Sequence, residues 1–318
     1  MKPFGAMPVG VVVPKSLDEA VEALASWGPE ARVMAGGTDL VVELKEGKRV
    51  PAVIVDISRL GELEGVRVEG ETGVLAAGED EPGSVAEGDV VWIGALTTHE
   101  AIAASRVVRT AAPLLAEACA CVGSPQIRAR GTIGGNICTA SPAGDVIPPL
   151  FCLEASVEVR GPRGTRTVDV ESFFVGPKRS YLRPDELVLG VKFRALGPRH
   201  VSFFRKLGQR KAMAISVVNA AFVARRLGPG VFDEVRVAFG SVAPTVVRAR
   251  TAENALRGRR LNAEEARYVS GLAFRDVVPI TDVRGSQAYR REMACNLLYE
   301  GLLGLLVDRD GAGEVRQA

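Results

Sequence analysis

The chain has 318 residues, enough for two or three domains with a sizeable core. Hydrophobic residues make up 47%, charged residues 25%, and the formal net charge is +2, which is ordinary for a globular protein and excludes a strongly basic nucleic-acid or membrane-binding face. The opening residues Met1-Lys2-Pro3-Phe4-Gly5 lack the apolar core of a secretory signal, and the apolar stretch Leu302 to Val307 is too short to span a bilayer. Five scattered cysteines match neither a disulfide framework nor a C-x-x-C pair, so the cytoplasm is the expected compartment.

In chain order the first half alternates. Ser16-Leu17-Asp18-Glu19 reads as a capping box, followed by Leu17, Ala20, Val21 and Leu24 on one helical face ending near Gly28. A strand at Arg32–Met34, a glycine loop, a helical turn at Leu40–Lys45 and a strand at Val53–Ile57 complete a β-loop-α-β unit. Short strands are expected at Leu63–Val68, Gly73–Ala77 and Val90–Ala95, with a solvated turn at Glu79–Ser84. Helices follow at Thr98–Ser105 and Ala111–Cys121. Next come a β-like run at Gln126–Ala129, a second glycine loop, a helix at Asp145–Leu153 and a strand at Ser156–Arg160. A domain boundary is expected near Gly176-Pro177, giving one domain over 1–176 (parts 1–58 and 59–176) and another over 177–318. The second holds strands at Glu186–Phe193, Val201–Lys206, Ser216–Arg225 and Glu234–Gly240, then helices. The last of these carries an apolar stripe of Tyr289, Met293, Leu297, Leu298, Leu302 and Leu305.

The chemistry concentrates in the two glycine loops, each of which follows a β-like run. The first is Ala35-Gly36-Gly37-Thr38-Asp39. The second is Gly131-Thr132-Ile133-Gly134-Gly135-Asn136, continuing through Cys138, Thr139 and Ser141 to Asp145. Paired glycines let the backbone turn sharply and bring N–H groups against an anion. Two such loops, each with Thr, Asn, Ser or Asp close behind, suit a diphosphate held between two parts of one fold. Neither fits a P-loop or a G-x-G-x-x-G unit. Neither histidine has a second ligand at metal spacing; His99, at a helix start, and His200, in a loop, read as surface or capping residues. The work therefore falls to a bound cofactor. Asp145 suits a sugar or ribityl hydroxyl, or a helix cap, better than a diphosphate.

The run from Pro125-Gln126-Ile127-Arg128 through Gly131–Pro142 to Asp145, with Ala35–Asp39, Gly240-Ser241-Val242-Ala243-Pro244-Thr245 and Ile280–Arg290, resembles the FAD-binding subunit of the molybdenum hydroxylases, the xanthine dehydrogenase and aerobic carbon monoxide dehydrogenase type. Thr139-Ala140-Ser141-Pro142 leans toward the xanthine dehydrogenase branch. The resemblance implies an α+β fold: a two-part FAD-binding domain of the vanillyl-alcohol-oxidase/PCMH type, then a C-terminal domain with a small antiparallel sheet and helices. It implies FAD contacts from Val33, Met34, Ala35, Gly36, Gly37, Thr38, Asp39, Leu40, Thr132, Ile133, Gly134, Gly135, Asn136, Thr139, Ser141, Asp145, Leu187 and Lys206. It implies an electron-transfer oxidoreductase subunit. Molybdenum–pterin would sit on a large partner and [2Fe-2S] clusters on a small one, in a dimer of heterotrimers that delivers electrons to NAD+ or another acceptor. Gln126, Arg128 and Arg130 are then expected at the partner surface. The alternative is a stand-alone flavin reductase of the same superfamily, resembling enolpyruvyl-UDP-N-acetylglucosamine reductase, whose Gly-Thr-x-Gly-Gly loop Gly131–Gly135 also fits.

Overall fold

A computed structural model of the chain describes residues 10–48, 50–70, 73–76, 85–210 and 212–307. The expected turn at Glu79–Ser84 lies outside the described residues.

The N-terminal part is a three-stranded parallel sheet, β1 (Gly10–Val12), β3 (Val53–Asp56) and β2 (Ala31–Met34), with β3 central. Helices α1 (Leu17–Trp27) and α2 (Leu40–Lys45) connect its strands. The Ser16 hydroxyl accepts from the Glu19 N–H, as a helix N-cap should. The Glu19 carboxylate, however, takes the N–H of Lys15, one residue before the capping-box position. Ala20, Val21 and Leu24 are buried, and Gly28 ends the helix at positive φ.

The middle part is a six-stranded antiparallel sheet in the order β5 (Gly73–Ala76), β4 (Val66–Gly70), β6 (Val90–Gly94), β11 (Leu187–Arg194), β7 (Ser156–Gly161) and β8 (Gly164–Asp169). Between β6 and β7 run six short helices: α3 (His99–Ala104), α4 (Arg106–Ala111), α5 (Pro113–Ala120), α6 (Pro125–Arg128), α7 (Ile133–Thr139) and α8 (Ile147–Cys152). A helical turn α9 (Val170–Phe173) and a small ribbon of β9 (Phe174–Gly176) and β10 (Arg179–Ser180) follow.

The C-terminal part is a four-stranded antiparallel meander of β12 (His200–Gly208), β13 (Ser216–Gly228), β14 (Val231–Gly240) and β15 (Val247–Arg248), followed by α10 (Arg250–Leu256), α11 (Ala263–Leu272) and α12 (Gln287–Val307). Strand β13 is buried on both faces. Ala220, Phe222 and Ala224 join the core under the C-terminal helices, while Ala221 and Val223 join the core of the middle part. That two-sided burial is why apolar residues run on without clean alternation here. Along α12, Ala294, Leu298, Leu302 and Leu305 are buried, whereas Tyr289 at its start stays exposed. Among the described residues no helix is long and apolar enough to cross a membrane.

Four sequence expectations change. Gln126–Ala129 is not β-like: it falls in α6, because Ser124 caps an N-terminus and Pro125 supplies the first helical residue. From Ile133 onward the second glycine segment is also helical, capped by Thr132. The expected Ala111–Cys121 helix begins only at Pro113: Ala111 ends α4, and Ala112 leaves helical geometry before the proline. Finally, the strand expected at Glu186–Phe193 as the first of the second half is β11, paired with β6 on one side and β7 on the other. It belongs to the middle sheet, so a division at 176/177 cuts through the first half, and the second sheet begins at His200.

Candidate functional site

A cavity of about 630 Å³ lies between the N-terminal sheet and the middle part. All of residues 33–40 line it, with Thr132, Gly134, Gly135, Asn136, Thr139 and Leu187. The structure thus brings both glycine segments, a hundred residues apart in sequence, into one wall. Cys138 also faces the cavity.

The glycines serve different ends. A Cβ on Gly36 would land inside the Arg130 carbonyl, so Gly36 is small because the two segments touch there. A Cβ on Gly134 would come within 2.6 Å of the Ala95 Cβ, which fixes α7 against the end of β6. Gly37 has φ +74°, a left-handed turn that favours glycine. A Cβ on Gly135 would meet only Thr132 Oγ1, at 3.2 Å, with open space otherwise. Of these four, Gly135 alone is a glycine whose missing side chain the packing does not explain.

The hydrogen bonds divide the segments again. In the second, the Ile133 N–H donates to the Thr97 carbonyl, Gly134 to Ala95, Gly135 to Thr132 Oγ1 and Asn136 to the Thr132 carbonyl. Those amides are spent holding α7 in place, so they are not the free anion-binding groups that the sequence suggests. In the first, no acceptor among the described residues meets the N–H groups of Gly36, Gly37, Thr38 or Asp39. These four amides are free for an anion. The second segment instead offers side chains. Asn136 borders the cavity, while its Oδ1 is buried without a protein partner beside Gly144. The Thr139 hydroxyl donates to Asp39 Oδ2 at 2.9 Å and ties the segments together. Free amides and a glycine open to the cavity fit a dinucleotide with a diphosphate, as in FAD.

Four expected residues lie outside the wall. Ile133 is fully buried core. The Ser141 hydroxyl accepts from the Ala143 N–H in a local turn. Asp145 and Lys206 form a buried cluster at the joint with the C-terminal part. Asp145 Oδ2 takes Lys206 Nζ at 2.6 Å, and its Oδ1 takes the Ser216 hydroxyl at 2.6 Å and the Asn219 amide at 2.9 Å. The carboxylate is thus satisfied by protein groups and caps no helix: the residue preceding α8 is Val146, without a side-chain cap. Lys206 also donates to the carbonyl of Cys121, next to Val122 in the cavity wall.

Other expectations are corrected. Arg128 is held in place, its guanidinium donating to Glu100 and to the Val122 carbonyl. His200 begins β12 rather than sitting in a loop, with its Nδ1 accepting from the Gly197 N–H. His99 is not a surface residue: it is 2% exposed and lines the cavity. Burial, helped by the positive charge of Arg128, pushes its pKa down to about 4, leaving a neutral ring at pH 7. Sequence reasoning missed it because a histidine one residue after a Thr N-cap looks like a helix start at the surface. Its partner in space, Gly131, accepts the His99 N–H at 2.9 Å from 32 positions away. At another part of the wall, Glu186 receives both Arg166 nitrogens and the Arg183 N–H, and the Arg166 bonds in particular hold its carboxyl below the usual range.

Two family models together cover nearly the whole chain. Residues 6–79 and 83–193 match the FAD binding domain in molybdopterin dehydrogenase, and 203–305 match the CO dehydrogenase flavoprotein C-terminal domain. The carbon monoxide dehydrogenase medium chain of Hydrogenophaga pseudoflava is 32% identical, with 91% of this chain and 94% of that one covered. The xanthine dehydrogenase FAD-binding subunit of Escherichia coli O157:H7 is also 32% identical, at 86% and 88%, so identity does not separate the two branches. The solved carbon monoxide dehydrogenase from Hydrogenophaga pseudoflava that lacks the Mo-pyranopterin moiety superposes with a TM-score of 0.85 at 32% identity, covering 94% of this chain and 98% of that one. The chain belongs to the FAD-binding subunits of the molybdenum hydroxylase family of oxidoreductases.

Proposed function

We propose that this chain takes electrons from [2Fe-2S] clusters on a small partner subunit and delivers them to NAD+ or another acceptor. The molybdenum–pterin centre would sit on a large subunit, in a dimer of heterotrimers working in the cytoplasm. The observation that carries the reading is the cavity wall, which combines four free amides from residues 36–39 with Gly135, Asn136 and Thr139 of α7. Medium chains and FAD-binding subunits of multisubunit dehydrogenases among its relatives support it. Bound FAD would supply the exchange between electron pairs and single electrons that such a chain of carriers needs.

The protein's part is binding and orientation. Residues 36–39 would hold the diphosphate through their N–H groups, and the Thr38 hydroxyl lies beside them. Val33, Met34, Ala35, Leu40 and Leu187 would supply apolar wall, and Thr132, Gly134, Gly135, Asn136 and Thr139 the facing side. Ile133, Ser141, Asp145 and Lys206 would shape that wall from behind.

The test is anaerobic mixing of the assembled complex with candidate substrates while flavin absorbance is followed. Flavin bleaching by substrate is expected only with the partner chains present. The chain alone, loaded with FAD, should oxidise no purine or aldehyde. Substrate turnover by the chain alone would remove the subunit reading.

A further inference from the structure

His99 sits where the two glycine segments meet. Its backbone N–H donates to the Gly131 carbonyl. Its ring and the Thr38 hydroxyl both reach the same point beside Gly131: a Cβ there would lie 3.3 Å from His99 Cδ2 and 3.5 Å from Thr38 Oγ1. The ring is therefore next to the free amides of the first segment. It is almost wholly buried, and its Nδ1 is sealed from solvent with no hydrogen-bond partner. Nε2 is not sealed in that way, no group among the described residues bonds to it, and what the residue borders is the cavity. Cδ2, bonded to Nε2, is the ring carbon turned to Gly131, which puts Nε2 on the cavity side and Nδ1 on the protein side.

These contacts favour one tautomer. A proton on Nδ1 would be a buried donor with no acceptor, whereas a proton on Nε2 points where a ligand can take it. The ring is uncharged at neutral pH, for the burial argued above. We propose that His99 donates a hydrogen bond from Nε2 to a diphosphate oxygen of bound FAD, beside the free N–H groups of residues 36–39. It is a positioning residue: it adds a donor to the anion site without adding charge. The wall's arginine and lysine side chains, at Arg32, Lys178 and Arg183, belong to other segments. This inference rests on the reading of the cavity as the FAD site.

The test is titration of the flavin-free full-length chain with FAD, ADP and riboflavin. His99→Leu keeps apolar bulk and removes the donor, while His99→Gln returns an N–H close to the Nε2 position. His99→Leu should weaken FAD and ADP by about tenfold or more, as loss of a hydrogen bond to a charged group does. Riboflavin, which has no phosphate, should bind as before, and His99→Gln should restore FAD and ADP to within about threefold. Unchanged FAD and ADP affinity in His99→Leu, or an equal loss for riboflavin, overturns the assignment. A second measurement needs no variant. The chain has two histidines, so ¹⁵N-histidine spectra are readily assigned. ADP should move the His99 Nε2 resonance and leave His200 in place; an unmoved His99 signal at saturating ADP also overturns it. If the unaltered chain bound neither FAD nor ADP, the cavity reading would fall and this assignment with it. Unchanged binding in His99→Leu removes only His99.

Discussion

At the scale of single residues, glycine is not one kind of evidence. Gly36 and Gly135 read alike in the sequence, but Gly36 is pressed against the Arg130 backbone while Gly135 opens on the cavity. Gly36→Ala must move one glycine segment off the other, an overpacking strain of about 1–3 kcal/mol. It should lower thermal stability and flavin content together. Gly135→Val puts its side chain into open space, apart from Thr132 Oγ1 at 3.2 Å. It should leave the melting temperature of the flavin-free chain within about 2 °C, since surface changes of under about 0.5 kcal/mol are the norm away from packed sites. Its flavin content should fall to near zero. Flavin per chain and flavin-free melting curves for both variants check this, and full flavin occupancy in Gly135→Val would take Gly135 out of the site.

At the scale of elements, the carboxylate after α7 is a joint between parts of the molecule. Asp145 accepts from Lys206 on β12 and from Ser216 and Asn219 on β13, and so fastens the α7–α8 connection to the C-terminal sheet. Asp145→Ala leaves a buried ammonium unpaired, which costs about 3–5 kcal/mol when the partner of a buried pair is removed. The folded variant should still bind FAD, because Asp145 is absent from the cavity wall. Urea unfolding with and without flavin measures both effects. A loss below about 1 kcal/mol would disprove the joint, since that is what an exposed pair contributes. The same joint marks where the sequence stopped being legible. Local signals held: Ser16 and Thr98 cap the helices they precede, and residues 33–40 line one wall. What failed depended on distant partners. Gly134 and Gly135 look like a loop because their helix is fastened by Thr97 and Ala95, some forty residues earlier. Strand β11 was assigned to the wrong half because its pairing partners, β6 and β7, lie before the apparent boundary. The bonds of Asp145 are invisible in the sequence because Ser216 and Asn219 lie more than seventy positions away.

At the scale of the molecule, the three parts are joined unequally. The C-terminal sheet shares an apolar core with the middle part through Phe204, Ala221, Val223, Ala238 and Val246. Buried Arg248 adds bonds to the Phe151 carbonyl and to Glu171, and pairs with buried Glu253 beside them. The N-terminal sheet packs on a smaller core, which also takes in Leu96 and Leu187 of the middle part, and its ion pairs with that part are superficial. Asp18–Arg160 and Glu43–Lys178 are ion pairs with exposed partners, each worth about 1 kcal/mol at most. Besides these, the Asp39–Thr139 hydrogen bond and the Gly36 contact close the cavity. A cofactor lying between these two parts would therefore add to the joint with the smaller shared core. Binding to the folded form alone stabilises by about 2.7 kcal/mol at a hundredfold excess over Kd. Here the gain should be local. In hydrogen exchange of the flavin-free chain, Ala31–Met34 and Val53–Asp56 should open well before β13, whose residues are buried on both faces. Added FAD should slow exchange in those two strands by about tenfold or more, given that stabilisation, and leave β13 nearly unchanged. Equal protection of β13, or none at Ala31–Met34, would mean that the cofactor does not bridge this joint.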